Sequence, residues 1–158
     1  MKILFVLTLV VGGACAAGGV NATAATKFHT GYFQTPSGNI HCDFLYPGKF
    51  TYVRCGLKSG FKPAPPTRGP GCFPPRWLTL RLTGGPRLQS SICPGEDEGD
   101  AGPFIGGQHP GPPARVLRYG TSWSGGGLRC ASAFSGLTCR SSVSGRGFFL
   151  SRERWRVF

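Results

Sequence analysis

Six of the seven cysteines, those beyond the leading segment that holds Cys15, constrain this chain more than any other feature: Cys42, Cys55, Cys72, Cys93, Cys130 and Cys139. In an exported protein an even set of thiols reads as a disulfide framework, although spacing alone does not choose among the pairings that six allow. Local strand patterns do better. In "CDFLYPGKFTYVRC" the Pro47-Gly48 turn separates two runs rich in Phe, Tyr, Thr and Val, and folding about Gly48 and Lys49 sets Cys42 opposite Cys55. The same register opposes Asp43 to Arg54 and Phe44 to Val53, a charge pair and an apolar pair that both favour it.

The stretch "GLRCASAFSGLTCR" behaves alike. Leu128 and Cys130 alternate with Arg129, while Leu137 and Cys139 alternate with Thr138 and Arg140, so both cysteines share the face that carries the leucines. Gly136 supplies the positive φ that a hairpin bulge requires. Cys72 is then left for Cys93 across the central region. The expected bridges are therefore Cys42–Cys55, Cys72–Cys93 and Cys130–Cys139, each closing a loop worth about 3 kcal/mol by the chain-entropy argument. Zinc is the rival use of such thiols. No Cys-x2-Cys or Cys-x4-Cys pair occurs, and an oxidising compartment disfavours thiolate ligation, so no metal and no cofactor is expected.

Export itself rests on the opening residues. Met1 and Lys2 precede a short apolar run from Ile3 to Val11, after which small residues continue through Ala25 with Ala-Thr-Ala and Thr-Ala-Ala sites near the end. That order reads as a cleaved signal peptide over residues 1–25, leaving one exported domain over residues 26–158. The apolar run is shorter than the roughly 20 residues of a membrane span, and no second apolar segment follows. Cys15 suggests a lipid anchor as the alternative, but it lacks the leucine expected three positions before a lipidated cysteine. The destination is the cell envelope or the medium.

The domain is basic. Removing Lys2 with the signal lowers the net charge only from +12 to +11, and arginine outnumbers lysine among the rest. Such a surface attracts polyanions, and guanidinium groups favour bidentate contacts with phosphate or carboxylate. An unselected Arg, Gly and Pro bias is the alternative source. Of the 14 prolines, 12 fall between residues 59 and 113, which confines the irregular, Gly/Pro-rich part to the centre. The flanks alternate as strands do: "WLTLRL" gives one leucine face, and "ARVLRYG" and "GFFLSRERWRVF" read as further strands, the last with a helical alternative after Leu150. The expected fold is all-β, a small disulfide-stapled domain of short antiparallel hairpins.

Three landmarks stand in order: "TPSGNIHC" followed by "VRC"; "GFKPAPP" leading to a cysteine and a tryptophan; and "VLRYGTSWSGGGLRCASAFSGLTCRSSVSGRGFFLSRERWRVF". In them the chain resembles an uncharacterised family of small exported bacterial proteins classed as a domain of unknown function. The resemblance runs from about Phe33 to Phe158. It implies export and a cysteine-bearing domain, and it supplies no activity. Two positions depart from the family pattern, Arg146 where a histidine is usual and Arg76 where an acid usually precedes the central Trp77.

Candidate sites are sparse. His41 follows the Ser-Gly-Asn turn beside Cys42 and is the best-placed acid or base; His29 and His109 offer less. A hydrolase, perhaps acting on phosphodiesters, would draw on His41, Glu153 and an arginine, although no spacing shows that they converge. The acidic loop with Glu96, Asp97, Glu98 and Asp100 lacks the ligand spacing of an EF-hand and reads as solvated. "LSRERWRVF" carries the binding hypothesis: if extended, it projects Arg152, Arg154 and Arg156 to one side as a ridge able to grip an anion. A charged edge strand that only keeps the domain soluble is the plainer account. The expected function is thus a non-catalytic module that binds an anionic envelope polymer or a protein partner. A small secreted hydrolase and a purely structural envelope protein are the alternatives, and nucleic acid is a less favoured partner.

Overall fold

A computed structural model describes residues 27–89, 93–95 and 115–158. The described residues form an all-β fold of eleven strands: β1 (His29–Gln34), β2 (Ile40–Tyr46), β3 (Tyr52–Leu57), β4 (Trp77–Arg81), β5 (Arg87–Gln89), β6 (Arg115–Val116), β7 (Ser122–Gly125), β8 (Leu128–Ala133), β9 (Gly136–Ser141), β10 (Gly147–Leu150) and β11 (Trp155–Val157). They make two sheets, six-stranded in the order β5-β4-β3-β2-β1-β6 and five-stranded in the order β11-β10-β9-β8-β7. Every neighbouring pair is antiparallel except β1 with β6.

Alternation explains why the sheets face each other. Along β8 the side chains read buried, exposed, buried, exposed, buried, exposed, which puts Leu128, Cys130 and Ser132 inward and Arg129, Ala131 and Ala133 outward. The inner faces of both sheets contribute to one buried cluster that includes Phe33, Cys42, Val53, Cys55, Leu78 and Leu80 from the first and Leu128, Cys130, Leu137, Cys139, Phe148 and Leu150 from the second. Each fully buried Leu, Val or Phe contributes about 1.5–3 kcal/mol against the chain entropy lost on ordering. Ser141 joins the layers by donating its hydroxyl to the Leu82 carbonyl, and Ser144 Oγ donates to the Gly84 carbonyl at 3.2 Å.

The two inner hairpins follow the register read from the sequence. Cys42 opposes Cys55, Asp43 opposes Arg54 and Phe44 opposes Val53 between β2 and β3, while Cys130 opposes Cys139 between β8 and β9. The disulfides are Cys42–Cys55, Cys72–Cys93 and Cys130–Cys139, with sulfurs 2.05, 2.08 and 2.05 Å apart. The first and third lie in the core and the second ties down the irregular centre. Gly136 takes φ +143° at the start of β9, where an added Cβ would collide with the Leu150 carbonyl.

Two strand expectations need correction. "ARVLRYG" supplies only the two residues of β6, because after Leu117 donates to the Gln34 carbonyl the chain turns through Gly120, at φ +78°, into β7. "GFFLSRERWRVF" is neither one strand nor a helix; it is a hairpin. Ser151 makes the turn: its Oγ accepts the backbone N–H groups of Glu153 and Arg154 at 3.3 and 3.1 Å, and its own N–H donates to the Arg154 carbonyl at 2.8 Å. A serine hydroxyl that satisfies local backbone donors offers the chain an alternative to continued pairing. Trp155 then starts β11, packing edge-on to Phe61 and donating its indole N–H to the Pro63 carbonyl at 2.8 Å.

Candidate anion-binding face

The outer face of the five-stranded sheet is built from residues that point away from the core. Register lines up Ser124, Arg129, Arg140 and Gly147 across β7, β8, β9 and β10 as one row, and Ser122, Ala131, Thr138, Phe149 and Arg156 across β7 to β11 as the next. Arg129 and Arg140 are therefore direct cross-strand partners. Like charges so placed destabilise a sheet pair, so the pairing works against the fold unless something else is gained.

Two phenylalanines order the remaining cations. Gly147 exchanges backbone hydrogen bonds with Phe158 at 2.8 and 2.9 Å, and its missing Cβ leaves room for the Phe158 ring, which would stand 2.9 Å from an added methyl. The ring reaches the Arg140 guanidinium at 5.0 Å and that of Arg156 at 5.4 Å. The Phe149 ring covers Gly136 in the same manner and lies 5.5 Å from the Arg154 guanidinium and 5.9 Å from that of Arg156. Cation–π contacts hold such groups in place for about 0.5–1 kcal/mol each at exposed sites, and they leave the guanidinium N–H donors available to an anion. The two ion pairs among the described residues, Arg54 with Asp43 and Arg152 with Glu153, involve none of these four arginines.

The expected trio separates. Arg154 and Arg156 converge on Phe149. Arg152 stands in the turn, bonded to Glu153 at 3.2 Å with both side chains about three-quarters exposed (75% and 72%). The ridge of three is thus replaced by a patch of Arg129, Arg140, Arg154 and Arg156. Arg129 and Arg140 escape a search for runs of charge because ten residues of hairpin separate them. Their register with the cysteines was the available signal: if Cys130 opposes Cys139, the preceding and following arginines must oppose each other.

The six-stranded sheet treats its polar groups differently. Asp43 and Arg54 are joined by two hydrogen bonds, Nε to Oδ1 at 2.9 Å and an Nη to Oδ2 at 3.1 Å, with side chains only 7% and 12% exposed. Tyr52 donates its hydroxyl to Asp43 Oδ2 at 3.2 Å. Burial and then the adjacent carboxylate raise the Tyr52 pKa above its ordinary value. For Arg54, burial opposes the charge but the contacts with Asp43 more than offset it, and the guanidinium holds its proton more tightly than usual. The pair is structural in its geometry: both carboxylate oxygens are engaged by side chains of the same sheet.

His41, the acid or base candidate, lies on β2 with Nε2 2.7 Å from the Gly38 carbonyl, where an N–H donates into the preceding turn. Glu153 belongs to the turn of the other sheet, between β10 and β11, and bonds to Arg152. His29 stacks on Tyr46 at 4.9 Å. Arg76 lies over Phe73, and Arg146 packs against Gly85. His109, Glu96, Asp97, Glu98 and Asp100 lie outside the described residues. Among the described residues no three His, Cys, Asp or Glu side chains gather as a metal site requires. Compared with known proteins, the chain matches no family model, no curated protein and no solved structure.

Proposed function

We propose that the protein is an exported, non-catalytic module that binds an anionic cell-envelope polymer through the outer face of its five-stranded sheet, in keeping with the exported family its motifs resemble. The observation that carries this reading is the cross-strand pair Arg129–Arg140, flanked by Arg154 and Arg156 on a phenylalanine support and left without a carboxylate among the described residues. Four guanidinium groups spread over one sheet face suit a repeating anion better than a single small ligand. Each bidentate contact to phosphate or carboxylate returns the stability lost by opposing like charges. Three disulfides fit the oxidising compartment in which such a polymer is met.

The test is retention on immobilised polyphosphate across a salt series, with wild-type protein, the triple variant Arg129→Gln/Arg140→Gln/Arg156→Gln, and a charge-matched control, Arg76→Gln/Arg81→Gln/Arg87→Gln. Each lost phosphate contact should lower the slope of log K against log salt by about 0.7–0.9, so the face variant, with three contacts removed, should lose about two to three units of slope and the control little. Equal losses in both variants would reduce the binding to net charge and refute a dedicated face.

A further inference from the structure

A cleft of about 420 Å³ opens beside the other edge of the five-stranded sheet, lined by Phe33, Val116, Leu117, Trp123, Arg115 and Arg118, with Thr121 and Ser122 at its margin. Its chemistry is one-sided. Phe33 and Leu117 are buried and Trp123 half-buried, so the floor is apolar, while Val116, 47% exposed, extends that surface outward. The Trp123 ring is held in place by aromatic neighbours, 4.5 Å from Phe44 and 5.6 Å from Phe33. Arg115 and Arg118 are exposed, and neither takes part in the ion pairs among the described residues. Among the described residues no carboxylate lines the cleft.

The margin adds a polar group. Thr121 already donates to the Arg118 carbonyl at 2.7 Å, which leaves the Ser122 hydroxyl as the further polar group at the margin. Two cations and a hydroxyl border an apolar floor, in a cleft whose volume lies at the small end of the range for ligand pockets, about 300–1,000 Å³.

We infer that this cleft is a binding site for a small organic anion: a phosphate or carboxylate attached to a single ring, the ring lying on Trp123 and the anionic group held by Arg115 and Arg118. The site meets the outer face of the sheet only at Ser122, and its two cations, Arg115 and Arg118, are not those of the polymer-binding patch. A planar aromatic ring and a saturated sugar ring present the same anion, so the probes separate them: phenyl phosphate, glucose 6-phosphate and inorganic phosphate, titrated by calorimetry and by the indole N–H resonance of Trp123.

One of the two ring-bearing probes should bind at least about tenfold more tightly than inorganic phosphate, since each tenfold corresponds to about 1.4 kcal/mol from burying the ring. Arg115→Gln/Arg118→Gln should weaken that binding at least about tenfold. Ser122→Trp, a change at an exposed strand position, should block the mouth and remove the Trp123 resonance shift. The polymer-face triple variant should bind the small anion as wild type does. Equal affinity for all three probes, no saturation below about 5 mM, or binding indifferent to both cleft variants would overturn the assignment.

Discussion

The two inner hairpins, β2–β3 and β8–β9, are built alike and charged differently. Each has a cystine bridging directly opposed residues in the core, and each places a charged pair beside it on the outward side. In β2–β3 that pair is Asp43 with Arg54, doubly hydrogen-bonded and closed over by Tyr52. In β8–β9 it is Arg129 with Arg140. Equivalent scaffolds thus carry a self-satisfied pair on one sheet and, on the other, a like-charge pair with no carboxylate partner among the described residues. The difference teaches where to look for a partner: the first hairpin has no electrostatic need of one, and the second is improved by any anion that spans both guanidinium groups.

Removing the shared brace tests the likeness. Cys42→Ala/Cys55→Ala and Cys130→Ala/Cys139→Ala should each destabilise the fold by about 4 kcal/mol, because a lost cross-link is compounded by cavities at fully buried positions. Denaturant midpoints measure it, and a much smaller loss in one hairpin would show that the scaffolds are not equivalent. Asp43→Ala probes the self-satisfied pair. It strands the Arg54 charge and should cost about 3 kcal/mol, the lower end for a broken buried pair since Arg54 keeps some access to water.

Tyr52→Phe refines the same side and should cost about 1 kcal/mol near neutral pH through the lost hydrogen bond to Asp43. It also carries a pH signature. A tyrosine whose pKa is raised in the fold contributes stability that is complete below its ordinary value near 10 and is lost as pH rises through the folded value, because the unfolded chain releases the proton first. Stability of the wild type should therefore fall above about pH 10, and the variant should fall less over that window. A parallel decline in both would assign the alkaline limb to other groups.

The smallest effect is the sharpest for the comparison. Arg140→Asp rebuilds in β8–β9 the charge arrangement of β2–β3 and should raise stability by up to about 1 kcal/mol while weakening polyphosphate retention. Added stability with unchanged retention would separate the like-charge pair from binding.

Much of the framework was legible from the residues. Period-two alternation in "LRC" and "LTC" determined which side chains face inward, and opposing Cys42 to Cys55 carried Asp43 to Arg54 with it. The C-terminal segment was read less well because Leu150 and Trp155 look like one alternating run, whereas the turn depends on hydroxyl hydrogen bonds made by Ser151. A serine followed by polar residues was the available cue. Its weight could not be judged without knowing that β10 already had a neighbour on one side and needed another on the free edge.

The sequence by itself determined strand polarity, hairpin register and the two hairpin disulfides, because these are local: a two-residue period and a short turn decide them within some twenty residues, and Cys72–Cys93 followed by elimination. Tertiary structure decided which hairpins share a sheet, that Phe149 and Phe158 lie across glycines of neighbouring strands, and that Arg154 and Arg156 join Arg129 and Arg140 on one surface. Those relations join residues through the packing of β10 and β11 onto β9. Their energies come from side chains far apart in the chain, and no periodicity along it records them.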